Sequence, residues 1–200
     1  MLWIGITGGI AMGKSRVCQT LVERGFAVLQ ADQVVHELLS KNGGAVTKVL
    51  DEFGTEVKSA DGGIDRKKLG AQVFADPLKL RKLEAILHPL VQSSVQDRRA
   101  NLEKLRTAVA FYEIPLLFEK NLQDQFDEII VVVADELVQI QRLKSREKLS
   151  DLEIRNRLNV QIPIAQKIKQ ADVVIDNNGN ETDLKHQVES KIIARYQAQT

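Results

Sequence analysis

The stretch Gly5-Ile-Thr-Gly-Gly-Ile-Ala-Met-Gly-Lys-Ser15 decides the fold of this 200-residue chain. Within it, Gly8 to Ser15 has the spacing G-x-x-x-x-G-K-[ST]. Glycines let successive backbone N–H groups turn toward one anion. A helix starting at the lysine adds its unpaired N–H groups and the positive end of its dipole. Lys14 then reaches the outer phosphates of a nucleoside triphosphate, and Ser15 offers a hydroxyl to Mg²⁺. A chance match to four fixed positions arises in on the order of one per cent of chains this long. The flanking pattern lowers that further.

That flanking pattern is strand, loop, helix. Leu2–Thr7 reads as a buried strand, and Lys14–Arg24 reads as a helix ended by Gly25. Phe26–Gln30 is a second short strand, and Asp32–Ser40 has a helical apolar spacing. Thr107–Ile114 and Asp127–Ala134 are nearly continuous apolar runs, as strands covered on both faces should be. Asp172–Asp176 is the last strand. Helices are expected over Glu136–Lys148 and Thr182–Gln197, and Ser150–Glu153 has a capping-box pattern that opens another. Strands alternating with helices predict an α/β fold: a parallel sheet flanked by helices.

More than sixty residues separate the second and third strands, too many for a simple crossover. The stretch is charged and mostly helical, with turns at Asn42-Gly43-Gly44 and Asp61-Gly62-Gly63. It reads as a helical insertion, where a second substrate would be held, and Pro89 is expected to end or bend a helix within it. The expected layout is a core of residues 1–41, 106–134 and 170–200 and an insertion of about 42–105.

Twenty-eight basic residues face 27 acidic ones, a formal net charge of +1. That excludes a strongly basic, sequence-blind nucleic-acid binder. No apolar run approaches the roughly 20 residues that cross a bilayer, and no signal peptide opens the chain, so no membrane partner and a cytoplasmic location are expected. The single cysteine, Cys18, allows no internal disulfide and reads as a small core residue. Three scattered histidines make no zinc set. His36 and His186 read as helix-surface or packing residues, and Trp3 as strand packing.

Several side chains suit a phosphate site. Asp32 follows the second strand, either as a general base or metal-ordering carboxylate or as a helix N-cap. Gln139, Arg142 and Arg146 lie on one helical stripe, where guanidinium groups can bind phosphate bidentately or merely face solvent. Glu113 and Glu119 bracket Pro115–Phe118 and act either through water on Mg²⁺ or as structural carboxylates.

Together these residues resemble the dephospho-CoA kinase family. The resemblance is carried by GITGGIAMGKS, Ala31-Asp32, Leu87-His88-Pro89, Pro115 to Glu119, Gln139 with Arg142 and Arg146, and Gln161, Lys167, Ala171-Asp172 and Asn177. It implies a P-loop NTPase-type core with a helical acceptor-binding insertion and a helical lid of about 138–165. It implies ATP-dependent phosphorylation of the ribose 3′-hydroxyl of dephospho-CoA, with Mg²⁺ accompanying ATP. On this resemblance Asp32, Lys14 and Arg142 carry the chemistry. Gly8, Gly9, Ala11, Met12, Gly13, Lys14, Ser15, Arg16, Arg142, Arg146 and Asn177 bind ATP, with Asn177 beside the adenine. Thr7, Asp32, His88 and Leu116 face the acceptor, and Ser15 binds the metal. Partners are then small molecules, on a monomer or weak homo-oligomer.

The chain departs from the family where Ala11-Met12 replaces a common Gly-Ser, Arg16 a common Thr, and His36 a common Arg. Ala11 and Met12 are tolerable there if their φ angles are negative. Two other readings stand beside this one. A related small kinase would act on a nucleoside monophosphate or a small alcohol. A GTP-dependent switch would need a guanine-reading Asn-Lys-x-Asp, which the chain lacks.

Overall fold

The computed structural model describes residues 1–147 and 151–197, with side chains described for 1–145 and 152–197. The expected capping residue Ser150 lies outside them. The chain divides into two units: residues 1–30 with residues from 103 onward, and residues 31–102.

The first unit is built on a five-stranded parallel sheet in the order β2-β3-β1-β4-β5. The strands are β1 (Leu2–Gly8), β2 (Ala27–Gln30), β3 (Val109–Glu113), β4 (Glu128–Val133) and β5 (Val173–Asp176). β1 is central, with Ile6 opposite Glu113 of β3 and Gly8 opposite Val132 of β4. The chain leaves β1 toward β2 on one side, and leaves β4 toward β5 on the other. Their carboxyl ends therefore diverge over a crevice, which is where an open parallel sheet receives ligands.

The two faces of β1 follow the period-2 alternation of its side chains. Ile4 and Ile6 join Val17, Cys18 and Leu21 of helix α1 (Lys14–Glu23) in the main core, with Phe111, Ile130 and Ile175. Burying each such aliphatic side chain contributes roughly 1.5–3 kcal/mol. Trp3, on the opposite face, packs against Tyr112 and Phe126. Burial pushes the Cys18 thiol up to about 12, so it is an inert thiol and a core residue, as its position in the sequence suggests.

The C-terminal helix is re-phased rather than uniform. Helix α9 (Glu181–Val188) passes into a π-turn over Glu189–Ile193 before a last turn, Ala194–Tyr196. The wider turn lets Val188, Ile192, Ile193 and Tyr196 all bury on the core side. Tyr196 stacks edge-on against Phe111 and donates its hydroxyl proton to Glu128. Asn180 and Asp183 form a reciprocal capping box at the start of α9.

The second unit is helical: α2 (Ala31–Leu39), α3 (Val46–Phe53), α4 (Arg66–Val73) and α5 (Pro77–Lys104). Its own core joins Leu39, Val49, Phe53, Val57, Ile64, Leu69, Leu83 and Leu87. The unit begins at Ala31 rather than near residue 42, because Leu39 of α2 belongs to this core. Asp65 caps α4 by accepting from the Lys67 and Lys68 amides. Pro89 does not end its helix, since α5 runs through it. The proline frees the carbonyl four residues earlier, at Ala85, and both residues are exposed, so water can take that carbonyl. The buried stripe of Leu83 and Leu87 offsets the remaining cost.

Candidate active site

The loop after β1 forms because two of its residues take left-handed backbone. Gly13, the residue before α1, has φ 97°. A Cβ built there falls on the side-chain nitrogen of Asn177, so only glycine fits. Ala11 has φ 56°, so the condition of negative φ is not met there. A left-handed conformation costs a non-glycine residue roughly 1–2 kcal/mol. This strain is present at the position where the resembled family commonly has glycine.

Three carboxamides hold this strained loop. Asn177, buried after β5, donates from Nδ2 to Met12 O at 2.8 Å. Gln139, buried on α6 (Glu136–Glu147), donates from Nε2 to Ile10 O at 2.6 Å. Gln161, following α7 (Asp151–Asn159), accepts from Ile10 N–H at 3.1 Å. Met12 is buried, and its sulfur accepts from Gly9 N–H at 3.2 Å. Asn177, read as a neighbour of adenine, thus has its amide engaged with the loop backbone. Gln139, read as part of a phosphate-facing stripe with Arg142, does the same.

The electrostatics favour an anion. α1 has no side-chain cap and no acidic residue in its first turn, so its N-terminal amides stand uncapped. Lys14 is buried and donates to Gly8 O at 3.2 Å and Gly9 O at 3.0 Å, which seats the ammonium in the loop. Arg142 donates from Nη2 to Asn177 O at 2.9 Å. Its Nη1 is buried and has no hydrogen-bond partner among the described residues. A buried guanidinium nitrogen without a partner is costly and suits an incoming anion. Arg146 lies on α6, but its side chain is outside the described residues.

Ser15 is exposed in the first turn of α1, where its hydroxyl is accessible to a hard cation that prefers oxygen ligands. Arg16 is also exposed and pairs with Glu181 at 3.6 Å, so it is a surface charge at the loop's edge. Glu113, at the end of β3, is buried and lies opposite Ile6 and Gln30 in register. Thr7 is fully buried and donates from Oγ1 to Pro115 O at 3.4 Å, so it ties β1 to the turn after β3. Leu116 is half-buried in that same turn.

Glu119 takes the structural alternative. It lies 2.6 Å from the fully buried Lys167 Nζ and accepts from Ile162 N–H at 2.9 Å. Sequence reasoning had no signal for this pair beyond the family resemblance, since 48 positions separate two charges in different elements. Nor could spacing reveal the loop carboxamides, which lie more than a hundred positions from the loop.

In the second unit, Asp32 lies in the first turn of α2, two positions after the carboxyl end of β2, and is exposed. His36 is exposed and its Nδ1 lies 3.1 Å from Arg66 Nη1, a surface contact as expected. His88 is exposed on α5. Glu37 of α2 pairs with Arg98 of α5.

The chain matches the family model of dephospho-CoA kinase over residues 2–183. A dephospho-CoA kinase from Bdellovibrio bacteriovorus is 44% identical over 189 residues, 94% of each chain. A dephospho-CoA kinase structure from Campylobacter jejuni is 29% identical, covers 99% of this chain and 98% of its own, and superposes with a TM-score of 0.73. A Thermus thermophilus crystal structure is 32% identical over 97% of both chains, with a TM-score of 0.78. Among the described residues, no helix is long and apolar enough to cross a membrane.

Proposed function

The chain belongs to the dephospho-CoA kinase family, and from that premise we propose that it transfers the γ-phosphoryl group of ATP to the ribose 3′-hydroxyl of dephospho-CoA. The products are coenzyme A and ADP. The observation that carries this reading is the buried cationic loop: Lys14 seated over Gly8 and Gly9, an uncapped α1, and Arg142 with a nitrogen that has no hydrogen-bond partner among the described residues. Family membership sets aside the nucleoside monophosphate, small-alcohol and GTP-switch readings.

The mechanism is positioning plus charge stabilisation. The α1 amides and Lys14 bind the phosphate chain, and Arg142 offsets charge on the transferring group. Helices α6 and α7, within the expected lid, close over the phosphates and exclude water. Ser15 contributes an oxygen ligand to Mg²⁺, which when bound with ATP neutralises phosphate charge. Asp32 orients or deprotonates the acceptor hydroxyl. His88 and the helical unit hold dephospho-CoA. ADP release that depends on dephospho-CoA, with the new phosphate located on the ribose by NMR, tests the reading. Asp32→Asn is expected to lower kcat by roughly 10²–10⁴-fold while leaving ATP binding near wild type. Near-normal turnover would remove Asp32 from the chemistry.

A further inference from the structure

Two side chains from the α6–α7 segment grip the two peptide planes on either side of Ile10. Gln161 accepts from Ile10 N–H, and Gln139 donates to Ile10 O. A backbone N–H only donates and a carbonyl only accepts, so both carboxamide orientations are set by chemistry. All peptide bonds among the described residues are trans. In a trans peptide the C=O and N–H point in opposite directions.

The consequence reaches Lys14. The N–H that Gln161 holds belongs to the Gly9–Ile10 peptide. The carbonyl of that same peptide, Gly9 O, therefore faces the other way, and there it receives Lys14 Nζ at 3.0 Å and Met12 N–H at 3.3 Å. Gln161 and Lys14 sit on opposite edges of one peptide plane. The carbonyl that Gln139 holds belongs to the Ile10–Ala11 peptide. Its N–H, from the strained Ala11, is turned away from Gln139. The Gly9–Ile10 plane is thus held on one edge by Gln161 and on the other by Lys14 and the Met12 amide, while loss of the Gln139 bond would free the Ile10–Ala11 plane to rotate and relieve the left-handed strain at Ala11. The anchor of Gln161 is itself held, because the next residue, Ile162, donates to Glu119, which is paired with buried Lys167.

We propose that Gln139 and Gln161 are positioning residues for phosphoryl transfer. They act through the loop: Gln161 fixes the carbonyl that seats Lys14, and Gln139 fixes the plane that carries the Ala11 amide. Gln139 shares α6 with Arg142, so one helix sets both this loop contact and the arginine's placement. This rests on the reading of the loop as the ATP site.

The test uses Gln139→Met, Gln161→Met and the double variant, which keep side-chain length and remove the polar ends. ATP affinity by equilibrium titration, kcat, both KM values and Tm are measured for each. Each single variant is expected to lose about 10-fold or more in kcat/KM for ATP, with the KM for dephospho-CoA little changed. The double variant is expected to fall no more than about twofold below the worse single, since both act on one loop conformation. Gln139→Lys retains a donor for Ile10 O and is expected to recover most of the loss, which also covers the case in which Gln139→Met fails to fold. Wild-type ATP constants in the Met variants, or losses that multiply, overturn the inference. So does a fall in Tm with no change in ATP constants. Wild-type protein that retains no ATP would instead defeat the nucleotide reading itself.

Discussion

Gly13→Ala probes the loop most directly. Two costs are legible in the structure. The first is backbone: at φ 97° an alanine pays roughly 1–2 kcal/mol that glycine does not. The second is steric: the new Cβ falls on Asn177 Nδ2 and must displace a buried amide that donates to Met12 O. Losing that hydrogen bond in a buried setting costs roughly 1–3 kcal/mol. The single variant is therefore expected to lose about 2–5 kcal/mol. Asn177→Ala alone is expected to lose about 1–3 kcal/mol through the same bond. The double variant is the decisive case. Asn177 Cβ lies 3.9 Å from the built Cβ, so an alanine there leaves ordinary contact and no clash. Its total is then expected to fall short of the sum of the singles by about 1–3 kcal/mol, because one lost hydrogen bond is counted in both. Urea denaturation without nucleotide measures all three. Additivity within about 0.5 kcal/mol would show that Gly13 and Asn177 do not meet as described, and would refute the reasoning.

Two further outcomes follow from the same physics. Ala11→Gly is expected to stabilise the protein by about 0.5–1 kcal/mol in urea denaturation, since relief of left-handed strain outweighs the added freedom of the unfolded chain; a loss of similar size, as at an ordinary alanine, would contradict the strained loop. Burial alone would raise the Glu128 carboxyl, but hydrogen bonds from Arg195 and Tyr196 hold it below its ordinary value. A depressed carboxyl stabilises the fold above its unfolded pKa of about 4.3 and loses that contribution as pH falls through the folded value. Glu128→Gln is therefore expected to cost about 1 kcal/mol at pH 7, with the gap closing below about pH 4; a gap that is unchanged from pH 7 to pH 3 would remove the carboxylate from the account.

The sheet and the phosphate loop were legible because their signals are local. Buried strands such as Glu128–Val133 read as nearly continuous apolar runs, and Gly8 to Ser15 carries a fixed spacing. The helical insertion was equally legible, from its length and its glycine turns. Its boundary was less so: α2 follows a core strand in sequence yet packs its Leu39 into the helical unit, and only the three-dimensional core reveals that. Pro89 does not end its helix because proline acts against a helix locally, whereas the burial of Leu83 and Leu87 is a property of the folded core.

The residue types needed to hold a nucleotide were thus determined by sequence alone: glycines, Lys14 and Ser15 at set intervals, with arginines on a later helix. Tertiary structure decided how that loop is kept in shape. Gln139, Gln161 and Asn177 reach it from elements 129 to 165 positions away, and Glu119 meets Lys167 in the interior. A carboxamide is polar and unremarkable wherever it stands in a sequence. Its role appears only when folding removes water and leaves a single backbone group within reach as its partner.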